Sequence, residues 1–126
     1  MQKIIKTINA PAPVGPYNQA ILAGNTLYLS GQIALDPSTG NLMMDNIEAE
    51  TTQVMENLKA VLEEAGFSFG NVVKTTIFLS DMEMFGRMNA IYAQYFEGLI
   101  APARETVQVA NLPKYVNVEI SCIAVK

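Results

Sequence analysis

The 126-residue chain carries 8 Lys and Arg against 12 Asp and Glu, for a formal net charge of −4, and has one Cys, no Trp and no His. These counts exclude a Ser-His-Asp or Cys-His catalytic unit, an imidazole metal site and an intramolecular disulfide. The acidic balance argues against nucleic acid as a partner, while half of the residues are apolar and only 16% are charged, against about a quarter in an ordinary soluble domain.

Residues 2 to 7 read as a short strand around Ile4 and Ile5. The run from Asn9 to Pro16 follows, and its three prolines forbid regular pairing. Tyr17 to Ala23 and Thr26 to Ile33 are two apolar-rich runs joined by Gly24-Asn25, a link suited to a tight antiparallel hairpin. After a turn at residues 36 to 41, Thr51, Val54, Met55, Leu58, Val61, Leu62 and Ala65 recur at helical spacing within residues 45 to 65. Gly66 stands where a left-handed cap would close that helix. Asn71 to Leu79 is rich in β-branched residues and predicts a strand.

Ser80-Asp81-Met82-Glu83 has the form of a capping box and predicts a second helix beginning there, with Phe85, Met88, Ile91, Tyr92, Tyr95 and Phe96 as its apolar stripe. Two last strands are expected at Arg104 to Ala110 and Asn117 to Val125. The order βββαβαββ implies one α+β domain over residues 1–126, a mixed sheet with two helices covering one face.

Ile77-Phe78-Leu79 and Ile123-Ala124-Val125 are apolar on consecutive positions, the pattern of strands covered on both faces. Two helices cover only one, so the sequence predicts a homo-oligomer with sheets facing inward and clefts at the seams. No stretch approaches a membrane-spanning length of about 18 apolar residues. The N-terminal run lacks the form of a secretory signal, and a cytoplasmic location is the expectation.

For chemistry, Pro102-Ala103-Arg104 is the most specific local signal. Period-two geometry puts Arg104, Thr106 and Gln108 on one strand face, with Val107 and Val109 on the other, and a guanidinium at a strand's first residue suits bidentate binding of a carboxylate. Glu119, sharing a face with Ser121 in an otherwise apolar strand, is costly unless paired or functional. Two readings stay open: a partly buried Arg104–Glu119 ion pair between strands, or two members of a site. Taken alone, Tyr17 reads as a core aromatic, Ser30-Gly31 as a strand end with close backbone approach, and Asn89 as solvated. Cys122 reads as a small buried hydrophobe. Glu48, Glu50, Glu63 and Glu64 are expected in solvent on the first helix. No nucleotide fingerprint, nucleophile elbow or metal-ligand spacing is present, so no cofactor and no metal is called for.

Gly15-Pro16-Tyr17-Asn18-Gln19-Ala20, Leu29-Ser30-Gly31-Gln32, Asn71 to Thr76, Asn89 with Tyr92 and Tyr95-Phe96, Pro102-Ala103-Arg104, and Leu112-Pro113 before Val118-Glu119-Ile120 occur in the order found in the reactive-intermediate deaminase (RidA/YjgF) family. The chain resembles that family over essentially its whole length. The resemblance implies a chorismate-mutase-like fold and a homotrimer with clefts between subunits. It implies hydrolysis of 2-imino acids such as 2-iminopropanoate and 2-iminobutanoate to 2-oxo acids and ammonia, without metal. By the same resemblance, Arg104 takes the substrate carboxylate and Glu119 the attacking water, while Tyr17, Ser30, the Gly31 N–H and Asn89 form the cleft. Asn18 stands where many members carry Ser. Thr106 stands where the best-known bacterial members carry Cys, and reads as a cleft-lining substitution.

Such a reaction is feasible without histidine because an iminium carbon is already electrophilic. Orientation by Arg104 and a carboxylate base supply the remaining help. The same clamp would also serve a non-catalytic module that binds 2-oxo acids or similar small carboxylates. Ribonuclease activity, attributed to some relatives, fits poorly with the negative charge, and chaperone-like behaviour would need apolar surface that the oligomer buries.

Overall fold

The computed structural model describes residues 1–126 and has eight principal elements in the expected order. They are β1 (Gln2–Ile5), β2 (Ala20–Ala23), β3 (Thr26–Gln32), α1 (Ile47–Glu64), β4 (Val72–Leu79), α2 (Phe85–Gln94), β5 (Ala103–Gln108) and β6 (Val118–Val125). One six-stranded sheet runs β1-β2-β3-β6-β4-β5. Neighbours are antiparallel except β4 and β5, which pair in parallel across the α2 crossover. The C-terminal strand therefore lies inside the sheet, and the strand that begins with Arg104's segment lies at its edge.

Strand alternation decides which side chains meet the helices. Thr75, Ile77 and Leu79 of β4 and Val118, Ile120, Cys122 and Ala124 of β6 are buried, and they pack with Val54, Met55, Leu58, Val61 and Leu62 of α1 and Met88 and Tyr92 of α2 in one core. The opposite face carries Ile4, Ile21, Tyr28, Phe78, Val107 and Ile123, and no element of the chain covers it. That uncovered apolar face is the surface the sequence expects a second copy to meet.

Helix α1 is closed at both ends. Asn46 caps it by accepting from the Ala49 N–H at 2.7 Å. At the far end Gly66 takes φ 78°, the Phe67 N–H bonds the Leu62 carbonyl and the Gly66 N–H bonds the Glu63 carbonyl. That pair of bonds is the Schellman arrangement, which favours glycine in the left-handed region.

Several expectations change in detail. The strand covers only Ala20–Ala23 of the Tyr17–Ala23 run, and the side chain of buried Gln19, just before it, ties down the proline-rich loop. Its amide accepts from the Thr7 N–H and donates to the Thr7, Ala10 and Pro11 carbonyls. Those same bonds stop β1 at Ile5 rather than residue 7.

The second helix does not begin with a Ser80 cap. The Ser80 hydroxyl donates to Asn117 Oδ1 at 3.1 Å, and Asp81 caps a single 3-10 turn, Met82–Met84, before α2. Glu50 is no solvated residue: it is 0% exposed and faces the core from α1. Finally, β5 spans Ala103–Gln108 and β6 starts at Val118.

Candidate active site

Arg104 and Glu119 form no ion pair, because they stand on opposite faces of the sheet. Arg104 is level with Thr75 of β4, a helix-facing position, whereas Glu119 is level with Phe78 on the uncovered face. Each belongs to a separate hollow: Arg104 and Asn89 line one, Tyr17, Gly31 and Glu119 line the other, and Ser30 and Thr106 line neither.

The first hollow is a cleft of about 510 Å³ at the β5 edge, lined by Asn89, Tyr92, Ala93, Phe96, Ala101, Pro102 and Arg104. One guanidinium nitrogen of Arg104, Nη1, donates to Asn89 Oδ1 at 2.6 Å. Its carbon lies 5.0 Å from the Tyr92 ring centroid and 5.4 Å from that of Phe85. Aromatic faces hold a guanidinium by cation–π attraction without using its N–H groups. The fork is thereby oriented with donors to spare for a carboxylate.

Tyr92 is fixed in turn through its hydroxyl, 2.8 Å from Thr75 Oγ1. Burial raises the phenol's pKa against the opposing pull of the Thr75 bond and of Arg104. Thr106 follows Arg104 on the same strand face, and its buried hydroxyl has no hydrogen-bond partner. Cys122 sits on the helix side, where burial pushes its thiol up to about 12, so it is the inert hydrophobe expected from sequence.

The second hollow, about 110 Å³, lies beside the proline-rich loop, and its walls include Tyr17, Gly31, Lys114 and Glu119. Strands β3 and β6 lose register between Leu29 and Gln32, since Leu29 is level with Cys122 and Gln32 with Ile120. This β-bulge at Ser30-Gly31 brings backbone against the Glu119 side chain. A Cβ on Gly31 would come within 2.8 Å of Glu119 Cδ, so only glycine leaves the carboxylate where it is.

Burial is the one influence that raises the Glu119 carboxyl above the usual glutamate value. A half-buried carboxylate with no donor from its own chain is free to engage water or a ligand.

Ser30 lines neither hollow. Its hydroxyl donates to the Asn18 carbonyl at 2.6 Å and its N–H to the Gln19 carbonyl at 2.9 Å, which ties the Tyr17 loop to β3. Because the bond uses the backbone of Asn18, it does not depend on the side chain at that position. Tyr17, 48% exposed, stands at the wall of the Glu119 hollow rather than in the core.

Two neighbours escaped sequence reasoning. Phe85 was read only as helix stripe, although the i, i+4 spacing of Phe85 and Asn89 puts both on one side of α2. Lys114 falls between the last two expected strands, and it and Tyr115 adopt φ 55° and φ 54°, a conformation that few non-glycine residues take.

Residues 7–126 match the protein family described as Endoribonuclease L-PSP. A RutC family protein of Synechocystis is 60% identical over 98% of this chain and 95% of its own. The mouse 2-iminobutanoate/2-iminopropanoate deaminase is 48% identical over 100% and 93%. Among solved structures, Escherichia coli TdcF with bound serine superposes with a TM-score of 0.95 at 40% identity, over 98% of both chains.

Proposed function

Since the chain belongs to the Endoribonuclease L-PSP family, also called YjgF/RidA, we propose that it hydrolyses reactive 2-imino acids to 2-oxo acids and ammonia at a site built between two copies. The observation that carries this reading is the split of the machinery. Arg104 with Asn89 lines the edge cleft, Glu119 with Tyr17 and Gly31 lines the other hollow, and within one chain the sheet stands between them.

A homotrimer of chorismate-mutase-like form, with the uncovered sheet faces turned inward, would lay the β5 edge of one subunit against the proline-rich loop of the next. Burial of Ile4, Ile21, Tyr28, Phe78, Val107 and Ile123 would drive it. The mammalian deaminases at 44–48% identity support the substrate class.

In the proposed reaction Arg104 takes the imino acid's carboxylate with the donors that Asn89 leaves free. Water held at Glu119 adds to the C=N carbon, forming a C–O bond as the C=N π pair moves to nitrogen. Glu119 accepts the water's proton and returns one to nitrogen. Glu119 then takes the remaining proton of the carbinolamine hydroxyl and passes it to nitrogen as the C–N bond breaks, giving the 2-oxo acid and ammonia. Substrate carboxylate and Glu119 are both anionic, so the arginine is required to hold them together.

Thr106, beside Arg104, is read as the residue facing the substrate side chain. Binding of a small carboxylate without turnover is the competing reading, favoured by the serine found in the TdcF structure.

A coupled assay separates the two. An amino-acid oxidase or a pyridoxal-phosphate lyase supplies 2-iminopropanoate or 2-iminobutanoate, and its decay is followed with and without the protein. Wild type should accelerate loss of the imine. Arg104→Ala should abolish the acceleration while assembly mass is unchanged. Ligand-dependent stabilisation without turnover in wild type would establish the binding module instead.

A further inference from the structure

The proposed reaction leaves a buried carboxylate unused. Glu50, in the first turn of α1, is fully buried and faces no cation. One oxygen accepts from the Asn117 N–H at 2.7 Å and the Val118 N–H at 3.1 Å, and the other accepts from Asn117 Nδ2 at 2.9 Å. The same asparagine is held from β4, where its carbonyl accepts from the Ser80 N–H at 2.9 Å and its Oδ1 from the Ser80 hydroxyl.

These bonds fall where the sheet itself fails. Pairing of β3 with β6 ends at Gln32 and Ile120, so Val118 and Glu119 have a ladder partner only on the β4 side. A strand end with one open side twists and frays readily. The carboxylate of Glu50 takes the place of the missing β3 neighbour for the residue immediately before Glu119.

We propose that Glu50 is the positioning residue for Glu119. Through Asn117 and Val118 it fixes the start of β6, so that the carboxylate of Glu119, the next residue in the chain, leans over Gly31 into its hollow. It also anchors the end of the Pro113–Tyr115 turn, whose Pro113 and left-handed Lys114 form part of the same wall. Strain of this kind persists only where the surroundings over-determine it. The proposal rests on Glu119 being the water-holding group of the proposed reaction.

The test compares Glu50→Ala, Glu50→Gln and Asn117→Ala with wild type in three measurements: imine turnover, melting temperature, and titration of the Glu119 carboxyl by carbon-13 NMR. Lys114 and Tyr17 are the other ionisable groups on the walls of that hollow, and the Lys74–Glu105 ion pair shares the sheet face. All are unchanged in the variants. Misplacement of the water-holding group should lower kcat about 10- to 100-fold in Glu50→Ala with KM nearly constant. Glu50→Gln, which keeps the shape and one acceptor oxygen, should recover most of the loss.

Opening of the strand end should hydrate Glu119 and bring its titration down toward the ordinary glutamate value. Should Glu50→Ala not fold, Asn117→Ala removes one of the three bonds and gives the same directions on a smaller scale. A folded variant with lowered melting temperature but unchanged kcat and unchanged Glu119 titration overturns the proposal. Absence of turnover in wild type would refute the imine-hydrolysis reading, and the Glu119 titration alone then decides whether Glu50 positions it.

Discussion

Two carboxylates approach the start of β6 from opposite sides and meet opposite fates. Glu50 reaches it from the helix layer, fully buried, with three donors on its two oxygens. Glu119 projects from it toward the uncovered face, half-buried, where burial raises its carboxyl and nothing from its own chain lowers it. A buried carboxylate surrounded by donors is a strut, because moving it orphans every donor. A sheltered carboxylate without donors is available for chemistry.

The comparison can be broken most severely at Glu119. Glu119→Gln keeps size and removes the base, and should cut imine turnover by about 10²- to 10⁴-fold, with assembly unchanged; turnover within a factor of two of wild type would remove Glu119 from the mechanism. Glu50→Ala should lower stability in addition to its effect on turnover. It leaves one buried and two partly buried donors without an acceptor, at about 1 kcal/mol each, so denaturant unfolding should lose on the order of 3 kcal/mol. A smaller effect is expected at Gly31, where Gly31→Ala places a methyl 2.8 Å from Glu119 Cδ and should displace the carboxylate, lowering kcat about tenfold.

The smallest effect is a pH dependence of stability. The Glu119 pKa in the fold lies above its ordinary value of 4.5. Its contribution to stability is therefore fully present below that value and is lost as pH rises through the folded-state pKa, where a half-buried charge must form. Glu119→Gln avoids that loss, so its melting temperature should gain on wild type between acidic and neutral pH. A constant difference across that range would show that burial does not act on this group.

Much of this contrast was readable from the residues, and the unreadable part has a physical cause. Strand alternation gave the correct faces for Arg104, Thr106, Glu119 and Ser121, and helical spacing gave the core stripe of α1. Residue type points Glu50 to solvent, but its position in the helix buries it. Glu50 falls three residues after Ile47 and four before Val54, squarely on the apolar stripe, and that spacing was the available signal for its burial.

The separation of Arg104 from Glu119 was not available from periodicity. It depends on β6 entering between β3 and β4 and on β5 lying at the edge, which only long-range pairing decides. The Ser80 cap failed for a similar reason, since its hydroxyl is taken by Asn117, 37 residues away in the chain.

In the proposed assembly the two hollows work only when they belong to neighbouring copies. Arg104→Ala and Glu119→Gln, each inactive alone, would be co-expressed so that mixed assemblies form. If Arg104 of one subunit serves Glu119 of the next, some sites in the mixture receive both intact residues, and imine hydrolysis should return to about a quarter of the wild-type rate for random assembly of equal amounts. Mixed assemblies as inactive as either parent would contradict the account.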